Sequence, residues 1–569
     1  MAVAGAVPID VLVDLLAVFI IAAGVGIFVA KIGRVPYTIA LLLAGFAASI
    51  LGVSVDIELS HDLILLVLLP PLLFEGAATT DLERLRRNLL PILTLAIPGL
   101  LLSVAVLGLL GTYAFEFSLL VSLLFASMIL PTDPVSVLAL FEELGAPERL
   151  SVLVEGESLI NDGVGVVLFT ALLAHVTGRN AGGELLTASG LGTLALEMAF
   201  VSAGGLVVGL AAGYAIYRVM ANLDEHMTEI VLTIILAYGS FVLAEHYLHV
   251  SGVIATVAAG TFLGNRGAEY AMSPQTKLSI FNTWETGAFI VNTFIFVMIG
   301  VTTPISDLLA HAELIAIAIV LVLSARAVAV YPLTYLVNRV TNPSVSLRYR
   351  HVMFWGGLHA SIPIALVLGL PSGETLTPEL RTTLRALVFG VAAFSLVVQG
   401  FTMSSLLDRL GVVTRSDAEE LYELLVGRAR AVDSALEAAD ELEGAGELAP
   451  EVYSDFTAEY EREKKQLNRT ISQLLTEYPE LRREQLLASE RRILQREKAA
   501  LRDAMREGVV SDDVGEHLLE EANLKLDHVH DGVSTVERRE EGYEEFWRER
   551  AREFGLTIQS EPETSDEQS

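Results

Sequence analysis

The chain has 569 residues, 53% of them hydrophobic, and a mean hydropathy of +0.54, which is too apolar for an ordinary soluble enzyme. Its formal net charge of −31 argues against nucleic acid and anionic lipid as partners; it suits a salty cytoplasm and predicts a halophilic source. The absence of cysteine excludes disulfides and thiolate metal sites.

Up to about residue 404, apolar runs recur that are each long enough to cross a ~30 Å hydrocarbon core as a helix. Thirteen spans are predicted, at 8–30, 35–53, 60–78, 89–114, 117–142, 150–177, 190–219, 226–247, 251–265, 279–301, 307–337, 350–371 and 382–404. The first is too long for a signal peptide and has no evident small-residue cleavage site, so it reads as a membrane helix. Lys and Arg gather in alternate connections, from Lys31 and Arg34 through Arg84, Arg86 and Arg87 to Arg348 and Arg409. That asymmetry places the N-terminus outside and the C-terminal tail in the cytoplasm.

The third span ends in Leu69-Pro70-Pro71-Leu72-Leu73-Phe74-Glu75-Gly76, where Glu75 is either a peripheral ligand or an interfacial residue. The fifth contains Leu130-Pro131-Thr132-Asp133-Pro134. Two prolines three positions apart free backbone groups, and unwound backbone at membrane depth survives only inside protein or beside a cavity. Here it carries a carboxylate; the bland alternative is that Asp133 simply caps the second half-helix.

The sixth span opens with Glu155-Gly156-Glu157-Ser158-Leu159-Ile160-Asn161-Asp162. Three acids in an apolar helix cost roughly 2.5 to 3.5 kcal/mol each on insertion. Ser158 and Asp162 share one face and are offered to a cation, whereas Glu157 and Asn161 share the adjacent face for fixed hydrogen bonding. Oxygen ligands alone suit a hard ion such as Na⁺. Glu155 is expected near the cytoplasmic surface, without a role. In the eleventh span Arg326 needs a carboxylate partner, for which Glu157 is the candidate. The twelfth, Trp355-Gly356-Gly357-Leu358-His359-Ala360-Ser361-Ile362-Pro363, is a second interrupted helix. It lies seven spans after the fifth and runs the opposite way, the mark of an inverted repeat with an ion site at the midplane.

From residue 405 onward there are 41 acidic and 22 basic residues, so the tail carries 19 of the 31 net negative charges. Ser416 and Glu419 fit a capping box. Leu421, Leu424, Leu425, Val432 and Leu436 recur at helical spacing, and Leu481, Leu486, Ile493, Leu494 and Leu501 do so again. A small bundle or coiled coil is the better reading there than a metal site at His528 and His530. The predicted organisation is a membrane domain over 1–404, an acidic cytoplasmic helical domain over 405–559 and a disordered end over 560–569.

The segments Thr132-Asp133-Pro134, Glu157-Ser158-Leu159-Ile160-Asn161-Asp162, Ser324-Ala325-Arg326-Ala327 and Trp355-Gly356-Gly357-Leu358 resemble the signatures of the NhaP-type sodium/proton antiporters, relatives of the animal sodium/proton exchangers. The likeness spans the membrane part and covers the tail only loosely. It implies an all-α fold of about thirteen membrane helices with inverted repeats, broken helices crossing at the midplane, a moving six-helix core and a dimerisation domain. It further implies Asp162 and Asp133 as the ion-binding carboxylates, completed by the Thr132 backbone carbonyl and Ser158, with Glu75 as a candidate further ligand. Asn161 would orient Asp162, and Glu157 would pair with Arg326. His359-Ala360 departs from the Arg-Gly of many members; His359 is either a pH-responsive substitute or a satisfied core histidine.

The expected mechanism is competition. Two bare carboxylates cannot persist together in low dielectric, so Na⁺ or a proton neutralises the site. Asn161 stands where electrogenic relatives place an aspartate, which implies one proton per sodium and no cofactor. Li⁺ is a second candidate cargo. The rival readings are potassium/proton exchange and a membrane sensor signalling through the tail; no nucleophile elbow, P-loop or metal-ligand histidine pair marks an enzyme.

Overall fold

The computed structural model describes residues 9–32, 37–52, 63–178, 187–221, 223, 225–268, 271–272, 274–302, 305–341, 344–359, 361–371, 373, 375–412, 417–506, 508–530, 532–536, 551–552 and 554. Every regular element among them is a helix, and the chain divides into two compact units, 1–414 and 415–569. Ser416, Arg34, Arg415 and the end from Ser560 lie outside the described residues.

In the first unit the helices are α1 (Ile9–Ile32), α2 (Tyr37–Ile50), α3 (Leu63–Thr79), α4 (Leu82–Arg87), α5 (Leu89–Ala114), α6 (Leu119–Ile129), α7 (Val135–Leu144) and α8 (Glu148–Val176). They continue as α9 (Ala188–Met220), α10 (His226–Tyr247), α11 (Gly252–Phe262), α12 (Pro274–Thr302), α13 (Ile305–Ala310), α14 (Ala312–Val337), α15 (Leu347–Trp355), α16 (Ser361–Leu368) and α17 (Pro378–Leu410). Each of the thirteen predicted spans has its counterpart, as one helix or as a broken pair. Among the described residues, seven helices are individually long and apolar enough to cross a membrane.

Several boundaries differ from expectation: the tenth and thirteenth spans begin earlier, at Pro274 and Pro378. The eleventh span begins as a separate short helix, α13, because the chain turns at His311, whose Nδ1 lies 2.8 Å from the Asp307 carbonyl. Nor does the thirteenth stop at 404. α17 runs on to Leu410 and ends only where Gly411 adopts a left-handed φ of 56°, a conformation glycine takes without a Cβ penalty.

Helices that are apolar all round belong in lipid or in a core. α9 is the lipid type: its Leu196, Phe200, Val207 and Tyr214 side chains point outward and exposed. Inside, Phe74, Phe125, Phe169 and Phe296 are fully buried. α2 and α12 approach until their backbones touch. A Cβ on Gly45 would lie 2.6 Å from the Val297 carbonyl oxygen and 2.9 Å from the Gly300 Cα, so only glycine fits there.

Two helical pairs are broken. α6 ends at Ile129 and α7 starts at Val135; α15 ends at Trp355 and α16 starts at Ser361. α16 packs on both α6 and α17, and α8 packs on α6, which brings the two breaks and the acidic helix together.

The second unit contains α18 (Asp417–Gly444), α19 (Pro450–Glu477), α20 (Pro479–Arg506) and α21 (Asp512–His530). α18 and α19 form a hairpin, as do α20 and α21. Leu425, Val432, Leu481 and Leu494 of the predicted stripes are buried, while Leu424 and Ile493 face outward. Arg428 forks onto both carboxylate oxygens of Glu463 at 2.6 and 2.9 Å, which holds that carboxyl below its usual range and raises the guanidinium.

Candidate functional site

Pro131 and Pro134 have no N–H to donate, and the Pro134 ring clashes with the carbonyl four residues back, so the helix opens between α6 and α7. The freed groups are taken up by the second break. The Asp133 N–H donates to the Leu358 carbonyl at 2.8 Å, and the Pro131 carbonyl lies 3.2 Å from His359 Nδ1. Asp133 Oδ2 accepts from the Ser361 N–H at 3.4 Å and from the Ser361 hydroxyl. Asp133 thus reaches beyond its own half-helix, α7. It caps α16 from across the crossing, where the positive end of the helix dipole favours a carboxylate.

The end of α15 is sealed in the same way. Arg326 Nη2 donates to the Met353 carbonyl at 2.9 Å, and Gln399 Nε2 donates to the Trp355 carbonyl at 2.9 Å. The His359 N–H donates to Ser395 Oγ at 3.0 Å, and that hydroxyl lies 3.1 Å from the His359 carbonyl.

α8 presents its acidic face to this crossing. Gly165 lets it close on the Pro131 ring, which a Cβ there would strike. Glu157, Ser158, Asn161 and Asp162 are 3%, 2%, 2% and 8% exposed, so all four are core residues despite their polarity. Asn161 Oδ1 accepts from the Thr132 N–H at 3.3 Å, and its Nδ2 donates to Thr132 Oγ1 at 2.9 Å. Thr132 Oγ1 also pairs with Ser158 Oγ at 3.0 Å. Both ends of the Asn161 amide thus engage Thr132, not Asp162 as the resemblance implied. Neighbouring residues on a helix point about 100° apart, so Asn161 faces the break while Asp162 looks elsewhere.

Asp162 Oδ1 is buried and has no hydrogen-bond partner. A carboxylate oxygen cannot stay that way at low cost; it requires a proton or a cation. Asp133 lies within electrostatic reach of Asp162. Arg326 Nη1 donates to Glu157 Oε1 at 2.9 Å, with side-chain exposures of 11% and 4%. The structure thus brings Thr132, Asp133, Ser158 and Asn161 together at the crossing and sets Glu157 against Arg326.

Glu75, on α3, is half-buried and within electrostatic reach of Glu285, Glu155 and Asp133. Glu155 is half-buried, and its Oε1 accepts from Thr80 Oγ1 at 2.7 Å. Ser361, Ser395, Gln399 and Thr80 escaped the sequence reading, because isolated Ser, Thr and Gln in apolar helices carry no pattern. Only Ser361, four residues past Gly357 in the interrupted segment, sat where a signal existed.

Residues 17–409 match the family described as sodium/hydrogen exchanger, transmembrane. The chain is 35% identical to the Na⁺/H⁺ antiporter NhaG of Bacillus atrophaeus, across 89% of this chain and 95% of that protein. It is 36% identical to the Na⁺/H⁺ antiporter ApNhaP of Aphanothece halophytica, across 71% and 75% of the two chains. The solved structure of the sodium proton antiporter MjNhaP1 from Methanocaldococcus jannaschii shares the fold, with a TM-score of 0.59 at 18% identity over 70% of this chain and 98% of that one.

Proposed function

Because the chain belongs to the sodium/hydrogen exchanger family and is a multi-pass membrane protein that exchanges Na⁺ for H⁺, we propose that the exchange is a competition of the two ions for Asp162. One observation carries this reading: a buried carboxylate oxygen without a donor, on the helix face that also holds Ser158. Na⁺ satisfies it through oxygen ligands, with the Ser158 hydroxyl and the Thr132 carbonyl as neutral partners; a proton satisfies it by removing the charge. Glu75 is a peripheral member of the cation's ligand set.

The other charged residues hold the frame. Asp133 supplies negative charge at the N-terminus of α16 and keeps the two breaks in register. Glu157 and Arg326 neutralise each other and brace α8 against α14 and the end of α15. Asn161 cannot titrate, so the cargo position carries one proton against one Na⁺ and each cycle moves no net charge. The charge asymmetry of the connections supports an external N-terminus and a cytoplasmic tail, the outward apolar surface leaves room for a second copy in a homodimer, and the acidic tail fits a halophilic cytoplasm.

Asp162→Asn tests the assignment. Size and helix propensity barely change, but the titratable charge is gone, so Na⁺-driven proton movement in proteoliposomes should vanish at normal protein yield. Exchange near the parental rate in that variant would remove Asp162 from the mechanism.

A further inference from the structure

At the crossing, the Pro131 carbonyl and the Thr132 N–H belong to one peptide plane. Its two ends are gripped from opposite sides. Asn161 Oδ1 takes the N–H at 3.3 Å, and His359 Nδ1 stands 3.2 Å from the carbonyl oxygen. A carbonyl only accepts, so His359 must carry its proton on Nδ1. The ring is 2% exposed, and its own backbone N–H donates to the Ser395 hydroxyl. The adjacent rung, Asp133 N–H to the Leu358 carbonyl, fixes the register. The Thr132 carbonyl shares its peptide plane with the Asp133 N–H that this rung holds, and with the preceding plane gripped at both ends the φ and ψ of Thr132 between them are fixed, so the direction of the Thr132 carbonyl is fixed too.

We propose that His359 is a positioning residue of the ion site, whose Nδ1–H fixes the Pro131–Thr132 peptide plane and thereby aims the Thr132 carbonyl at the cation. Charge on the ring is not its role. Charged groups around it have other commitments. Arg326 is engaged by Glu157 and the Met353 carbonyl, and Asp133 by Ser361. The inference rests on the competition reading above, and Asp162→Asn, measured alongside, separates failure of that reading from failure of this one.

The test is a series at one position. The amide nitrogen of Asn stands at the same bond distance from Cβ as Nδ1 and donates without titrating; that of Gln stands one bond farther, where Nε2 would be. His359→Ala should raise the apparent KM for Na⁺ about tenfold with little change in maximal rate, the factor a lost buried hydrogen bond carries. His359→Asn should recover most of that loss and keep the parental pH–rate profile, while His359→Gln should not recover it. The Asn and Gln arms stand by themselves if the alanine variant fails to fold. Equal impairment in Asn and Gln, or a pH profile displaced by about one unit in the Asn variant, would overturn the assignment.

Discussion

Consider the removal of Arg326. Its guanidinium donates from Nη1 to Glu157 and from Nη2 to the Met353 carbonyl, both at 2.9 Å. Arg326→Ala therefore leaves a carboxylate at 3% exposure without its cation and a helix-end carbonyl without its donor. Unpairing a buried ion typically costs about 3–5 kcal/mol, and the orphaned carbonyl adds about 1–3 kcal/mol. Glu157→Gln is milder, since the amide oxygen still accepts from Nη1 and the carbonyl bond is untouched. It should fall at the low end of the ion-pair range. In the double variant the stranded charge is gone, so the loss should not exceed that of Arg326→Ala alone. Thermal unfolding of detergent-solubilised protein, followed by intrinsic fluorescence, ranks the three. Additive losses, or a larger drop for Glu157→Gln than for Arg326→Ala, would refute the pairing energetics.

Ser361→Ala removes the hydroxyl donor to Asp133 but keeps the weaker backbone bond, so the Na⁺ KM should rise about threefold in liposome transport, the size of a partial hydrogen-bond loss; an unchanged KM would show that Asp133 needs no second donor. Gly45→Val forces α2 off α12 at a backbone contact, and size-exclusion chromatography should show aggregate instead of a monodisperse peak; a normal peak would mean the helices can separate freely. With one proton exchanged per Na⁺, an imposed potassium-diffusion potential should leave the equilibrium pH gradient unmoved, although each net charge would feel about 2.3 kcal/mol per 100 mV. A gradient that follows voltage would point to a second proton, at Asp133 or Glu75.

Much of this architecture is legible in the chain because lipid imposes hard rules. A span must be long and apolar, and two prolines around Asp133 cannot be hidden inside it. Arg326 announces a buried partner for the same reason, and Glu157 is the acid on the neighbouring helix. What was not legible is direction. Asn161 and Asp162 are adjacent letters, yet one faces the unwound strand and the other does not; the spacing offered Asn161 for fixed hydrogen bonding without naming Thr132 as its partner, and the resemblance pointed its amide to Asp162 instead. Asp133 also accepts from the first N–H of a helix more than two hundred residues later, a partner that local capping rules, which see only the next turn, cannot supply. The reach of α17 to Leu410 depended on the left-handed turn at Gly411, and composition marks only where lipid ends.

The central claim is that Na⁺ and H⁺ exclude each other at one carboxylate, and the pH dependence of the Na⁺ KM tests it most directly. Proteoliposomes with dye-monitored proton movement give KM and maximal rate across an acid-to-alkaline series. Competition for Asp162 predicts that, on the acid side, KM rises about tenfold for each unit fall in pH by mass action while the maximal rate at saturating Na⁺ holds. A KM that stays constant while the maximal rate falls with acid would mean that the proton acts elsewhere, and would contradict the account.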